Sequence, residues 1–356
     1  MPRLKIDDDN SIHYQCIGQG ENLVLIHGLG ANLAFWYMGI ARLLARRYHV
    51  ITYDLRGHGR SSMPATGYTL PDMANDLEAL LDHLSVNHAH VVGHSFGARI
   101  ALYFTSTRPE RVRTLTVADT QISCLQNQVR LADWPHWKIW KQQLNEQGFH
   151  SLPSDNEYIN FQMLARFNEL SNEFTHGTLN RSRKTPSLKH RNMGNRGAER
   201  WKRLMKTTSA QEEFKDDHQI TIDSIKKINI PTLALFGEFS HCMESCRQLN
   251  NHLKSCRVKI LPGVGHFLPA IKPRLFMHTI RQFMNQSGNN DDQIYILQNH
   301  PGFKERRSSD NRELSSESVQ FPLNDRYGDL VLFDRRKPGS LYNASAVSSK
   351  IANSDT

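Results

Sequence analysis

The pentapeptide Gly93-His94-Ser95-Phe96-Gly97 constrains this chain more than any other feature, because it joins a β-branched run (His90, Val91, Val92) to residues 98–107, which suit a helix. A strand that becomes a helix in so few residues forces the middle residue into strained backbone. The flanking glycines are required because side chains at those positions would collide. Such a turn lifts the Ser95 hydroxyl out of a sheet and leaves the Phe96 N–H pointing at the same spot.

Three further features fall where that turn needs them. Residues 22–26 form an apolar strand that runs into His27-Gly28-Leu29-Gly30, a small-residue loop whose N–H groups can face a developing oxyanion. Leu29 and Phe96 are the expected N–H donors. A strand over 48–53 leads into Asp54-Leu55-Arg56-Gly57-His58-Gly59-Arg60-Ser61, and a strand over 257–261 precedes Gly263-Val264-Gly265-His266-Phe267. These four motifs in this order resemble the α/β-hydrolase superfamily, in its subgroup of single-domain serine hydrolases with esterases, lactonases, C–C bond hydrolases and haloperoxidase-like enzymes. The resemblance spans roughly residues 10–285. It implies an α/β fold, with a mostly parallel central sheet flanked by helices and a helical lid insertion.

Serine is a weak nucleophile until an imidazole removes its proton, and of the 18 histidines only His266 is placed by motif to do so. His27 and His94 read instead as loop hydrogen-bonders. A carboxylate at position 95 would have implied the attack used by dehalogenases and epoxide hydrolases; serine implies acyl transfer to water. The acid of the triad is less direct. Most relatives carry it in a G-x-x-D loop after the strand at 232–236, where this chain has Gly237-Glu238-Phe239-Ser240. Ser240 cannot supply the charge that stabilises imidazolium. Asp119 closes the preceding strand, where some lipases and a group of haloalkane dehalogenases place their acid. Asp119 is the preferred candidate, with Glu238, or no acid at all, left open.

The 356 residues exceed what one such domain commonly needs. The core is expected in 1–119 and 229–286, the lid in 120–228, and the excess in a polar tail, 287–356, too poor in apolar residues to order fully. Within the tail, residues 328–334 (GDLVLFD) are an apolar island that could add an edge strand or dock on a partner. The first part of the lid is aromatic (Trp134, Trp137, Trp140, Tyr158, Phe161, Phe167) and suits lid core with a few pocket-lining rings. Its second part, residues 181–206, has ten cations against Glu199 alone and reads as a mobile loop running into a short helix.

In a chain of formal net charge +9 this segment is either a solvated basic surface or a funnel for an anionic substrate or acyl carrier. Nucleic acid is not expected, since no binding motif or aromatic interleaving accompanies the charge. No membrane span is expected, and the N-terminus places charges where a signal peptide would be apolar, so a cytoplasmic protein is expected. Five cysteines without a C-x-x-C pair suit reduced thiols. Cys242 and Cys246 next to His241 lack a second ligand pair of suitable spacing, so no metal site is expected, and no cofactor.

The expectation is a serine hydrolase of a small-molecule ester, thioester or lactone acting through acyl-Ser95. The alternatives are a C–C bond hydrolase using the same residues, or a small-ligand receptor that has lost turnover.

Overall fold

In a computed structural model, residues 2–37, 39–146, 152–160, 163 and 193–286 are described, together with the backbone of 295–296, 323–324 and 330–331. Strands β1 (Arg3–Lys5) and β2 (Ser11–Ile17) open the chain as an antiparallel pair. Next come β3 (Glu21–Ile26), β4 (Tyr48–Tyr53), β5 (Ala89–His94), β6 (Val112–Ala118), β7 (Thr232–Gly237) and β8 (Cys256–Leu261). The sheet order is β1-β2-β4-β3-β5-β6-β7-β8, antiparallel at β1/β2 and β2/β4 and parallel thereafter. After β3 the chain steps to one side for β4 and to the other for β5. The carboxyl ends of β3 and β5 therefore flank a switch point, where open parallel sheets bind their ligands.

Both faces of the sheet are covered, because alternate side chains of a strand point opposite ways. Val24 and Ile26 of β3 face a cluster with Val91, Leu115 and Phe236. To it α1 (Leu70–His83) contributes Leu77, Leu80 and Leu81, and α2 (Phe96–Thr107) contributes Ile100 and Phe104. Leu23 and Leu25 face the opposite cluster, with Trp36, Phe276, Ile280 and Phe283. The start of α1 follows from sequence: Thr69 and Asp72 form a reciprocal capping box, with Pro71 at the first turn.

The insertion between β6 and β7 carries α3 (Trp137–Glu146) and α4 (Met193–Thr207). Leu131, Trp137, Ile159 and Met163 form a small core of their own. Helix α4 is longer than the short helix read from sequence. Its Trp201, Leu204 and Met205 pack inward at helical spacing, a pattern that its many cations dilute. Phe161, Phe167, the side chain of Trp140 and the cations from 181 to 191 lie outside the described residues.

Helix α5 (Met243–His252) links β7 to β8, and α6 (Pro273–Gln286) follows β8 and packs on the core. In the C-terminal stretch Tyr295–Ile296 pairs in parallel with β8, and Leu330–Val331 of the apolar island pairs with Leu323–Asn324, not with the main sheet. The order of the rest of that stretch lies outside the described residues. No described helix is long and apolar enough to cross a membrane.

Candidate active site

Ser95 sits where β5 ends and α2 begins, with φ 56° and ψ −125°. That left-handed backbone is strained for a residue with a Cβ. The neighbouring glycines are there because the turn leaves no room. A Cβ on Gly93 would stand 2.2 Å from the carbonyl oxygen of Gly97, and one on Gly97 would stand 2.4 Å from that of Ile26. The Ser95 N–H donates to the Ala118 carbonyl across the sheet at 3.0 Å, which fixes the turn.

The Ser95 hydroxyl meets His266 Nε2 at 3.0 Å, and His266 Nδ1 meets Asp119 Oδ1 at 2.8 Å. These residues come from loops after β5, β8 and β6, so the sheet brings together side chains 171 and 147 positions apart in sequence. Asp119 is fully buried, with φ 47°. Burial alone would raise its pKa. The hydrogen bond and charge of His266, the Gly237 N–H at 2.9 Å and the Ser240 hydroxyl at 2.6 Å outweigh that effect, and the net shift is downward.

Ser240 is thus explained. It stands where an acid was sought, and its hydroxyl donates to the acid that the previous strand supplies, while accepting from the Cys242 N–H at 2.9 Å. Glu238 is exposed and accepts from the Gly263 N–H at 2.7 Å, bracing the loop that carries His266. Of the two carboxylates considered from sequence, Asp119 is the one bonded to His266.

Loop 27–30 lies against the serine: a Cβ on Gly28 would be 2.9 Å from Ser95 Cβ and 3.4 Å from its Oγ. Leu29 follows directly, and Phe96 is the first residue of α2, so its N–H has no partner within the helix. His27 holds this loop. Its Nδ1–H donates to the Gly28 carbonyl at 2.7 Å, and its Nε2 accepts from the Leu55 N–H at 3.1 Å, which fixes a neutral tautomer. Burial lowers the His27 pKa, in keeping with that tautomer.

His94 has a role that the pentapeptide does not reveal. Its Nε2–H donates to the His266 carbonyl at 2.8 Å, and its ring stacks on Phe35. Burial, then the neighbouring His266, push its pKa down to about 3. His241 also packs against His266, with ring centroids 5.3 Å apart, and burial likewise pushes it down to about 3. Both rings are neutral near neutral pH and add no charge to compete with an imidazolium at His266.

Behind the nucleophile, Phe96 packs into an aromatic cluster of the core. Phe214 meets Phe96 edge-on at 5.1 Å and stacks on Trp201 of α4 at 6.1 Å. Arg200, one of the basic-segment cations, is tied down: its guanidinium donates to the carbonyls of Gly57 at 3.1 Å and Ser61 at 2.5 Å. Lys202, Arg203 and Lys206 are exposed.

A family model described as alpha/beta hydrolase fold matches residues 21–273. Similar chains include a Synechocystis sp. protein provisionally named as a non-heme chloroperoxidase, 26% identical over 278 residues, or 75% of this chain and 93% of that one. The 3-oxoadipate enol-lactonase 2 of Acinetobacter baylyi is 34% identical over 142 residues, 39% of this chain and only 50% of the enzyme's own length. Among solved structures, Est816, described as an N-acyl homoserine lactone degrading enzyme, is similar in fold, with a TM-score of 0.53 and 24% identity over 79% of this chain and 100% of that one.

Proposed function

Since the chain belongs to the alpha/beta hydrolase fold family and is a hydrolase of that fold, we propose that it cleaves a carboxylic ester, thioester or lactone through an acyl-Ser95 intermediate. The observation that carries this reading is the hydrogen-bonded chain from Ser95 Oγ through both His266 nitrogens to Asp119 Oδ1.

Ser95 Oγ attacks the carbonyl carbon as its proton passes to His266 Nε2. Asp119 accepts from Nδ1–H throughout, so it holds the tautomer that leaves Nε2 free and offsets the charge of the imidazolium. The tetrahedral oxyanion lies between the N–H groups of Leu29 and Phe96, donors that need no reorganisation as charge develops. His266 then returns its proton to the departing alcohol or thiol. Water, deprotonated by the same nitrogen, attacks the acyl carbon and releases the acid and Ser95. In a lactone the leaving alcohol stays tethered to the acyl group.

The exposed cations of α4 favour an anionic portion or carrier near the site. The bond from Asp119 to His266 supports turnover rather than a receptor that has lost it.

Stopped-flow hydrolysis of a chromogenic short ester tests this reading. A burst of alcohol equal to the enzyme concentration, followed by slower turnover, is expected. An absence of turnover across acyl esters, thioesters and lactones would reject it.

A further inference from the structure

The segment that follows β7 does more than hold the acid. Ser240 bonds Asp119, and the next two residues, His241 and Cys242, bring an imidazole and a thiol beside His266. One ligand atom from each of His241, Cys242 and His266 lies within 4.8 Å of the others. His241 Nε2 lies 3.3 Å from Cys242 Sγ. Bonds of about 2.0–2.1 Å to nitrogen and 2.3 Å to sulfur at tetrahedral angles need ligand atoms about 3.3–3.6 Å apart. The His241–Cys242 pair lies within a few tenths of an ångström of that spacing, and no separation in the trio exceeds 4.8 Å. Spacing in sequence hides the trio, because the third ligand arrives from the loop after β8.

The geometry points to an inhibitory site for a soft divalent cation such as zinc, made of His241, Cys242 and His266. Nitrogen and sulfur donors select zinc over magnesium or calcium. Both His266 nitrogens are engaged, one with Ser95 and one with Asp119. The cation must therefore displace one of those bonds. Binding replaces the Cys242 thiol proton, which leaves to solvent, with a sulfur–metal bond, and a fourth position is left for water. His241 and His266 keep partial exposure, which gives the ion a way in, while Cys242 is buried. Occupied, the site stops hydrolysis; a chelator restores it.

This inference rests on the catalytic reading of His266 for its effect but not for its binding, so two readouts are needed. The first is ester turnover of the full chain titrated with zinc and with magnesium. Zinc should inhibit reversibly and magnesium should not. Cys242→Ala should leave metal-free turnover intact and raise the half-inhibiting zinc concentration by roughly tenfold to a hundredfold; should Cys242→Ala fail to fold, His241→Gln should raise that concentration likewise, read against its own metal-free turnover. The second readout is cobalt(II) absorption in a Cys124→Ser background, which removes the exposed thiol. A thiolate-to-cobalt charge-transfer band should form, and should vanish in Cys242→Ala. Wild-type zinc sensitivity in both variants, or cobalt binding without a thiolate band, would overturn the site. A thiolate band in a protein without ester turnover would leave the site standing and reject the hydrolase reading instead.

Discussion

In the proposed reaction Asp119 is the acid that His266 needs, and Ser240 is the hydroxyl that holds it. The carboxylate comes from the loop after β6, and the hydroxyl after β7 orients it. Asp119→Asn should therefore preserve the fold yet lower kcat by about three to four orders of magnitude, because an amide can stabilise the wrong imidazole tautomer. Ser240→Ala should cost much less, about tenfold, as the Gly237 N–H still holds the carboxylate. Glu238→Gln should leave kcat almost unchanged. Steady-state kinetics of the three variants checks this ranking, and a larger loss at Glu238 than at Asp119 would move the acid to the later loop.

Ser95 is legible in the sequence because the demand on its turn is local, Gly93 and Gly97 marking where a Cβ has no room, and His266 because it follows a glycine-bearing turn in which Gly263 takes φ 65°. The partner of Asp119 is not legible. Ser240 lies 121 residues away, and nothing local distinguishes a serine that orients an acid from one that merely replaces it.

Among the elements, α4 separates two roles that its composition blurs. Trp201 and Leu204 face inward, Arg200 is bonded to two backbone carbonyls, and Lys202, Arg203 and Lys206 face solvent. Arg200→Gln should lower the melting temperature in a way that added salt hardly changes, because burial limits screening and the two carbonyls lose a charged donor. Replacing Lys202, Arg203 and Lys206 with Gln should leave the melting temperature alone. It should lower kcat/KM for an anionic ester only, with a deficit that shrinks as ionic strength rises. Equal losses on neutral and anionic esters would indicate damage to packing and end the steering proposal. The core strands could be read from apolar runs, but the reach of α4 could not, since ten cations over residues 181–206 mask the inward stripe.

At the scale of the whole molecule, buried neutral histidines govern the response to acid. His58 and His94 are each 3% exposed, and burial pushes both pKa values down to about 3. In the unfolded chain they titrate near pH 6.5, so between about pH 6.5 and 3 the unfolded state binds protons that the folded state does not. Stability is thus complete above that window and falls as pH drops through it, each group adding a slope of about 1.4 kcal/mol per pH unit. Asp119, whose pKa is shifted down, acts in the same direction at lower pH, its contribution being lost as the pH falls below the ordinary aspartate value. Melting temperature should decline from just below neutral pH, and His58→Asn should flatten that decline. An acid limb that begins only near pH 4 would contradict the buried, neutral histidines.

Ser95 is the proposed nucleophile of an acyl-transfer site. Incubation with a fluorophosphonate, followed by peptide mass analysis, reads it most directly. One adduct per chain on the peptide containing Ser95 is expected, with its rate of formation reduced at least about a thousandfold in His266→Ala and no adduct in Ser95→Ala. Labelling that persists in Ser95→Ala, or that leaves Ser95 unmodified in a chain that hydrolyses esters, would contradict it.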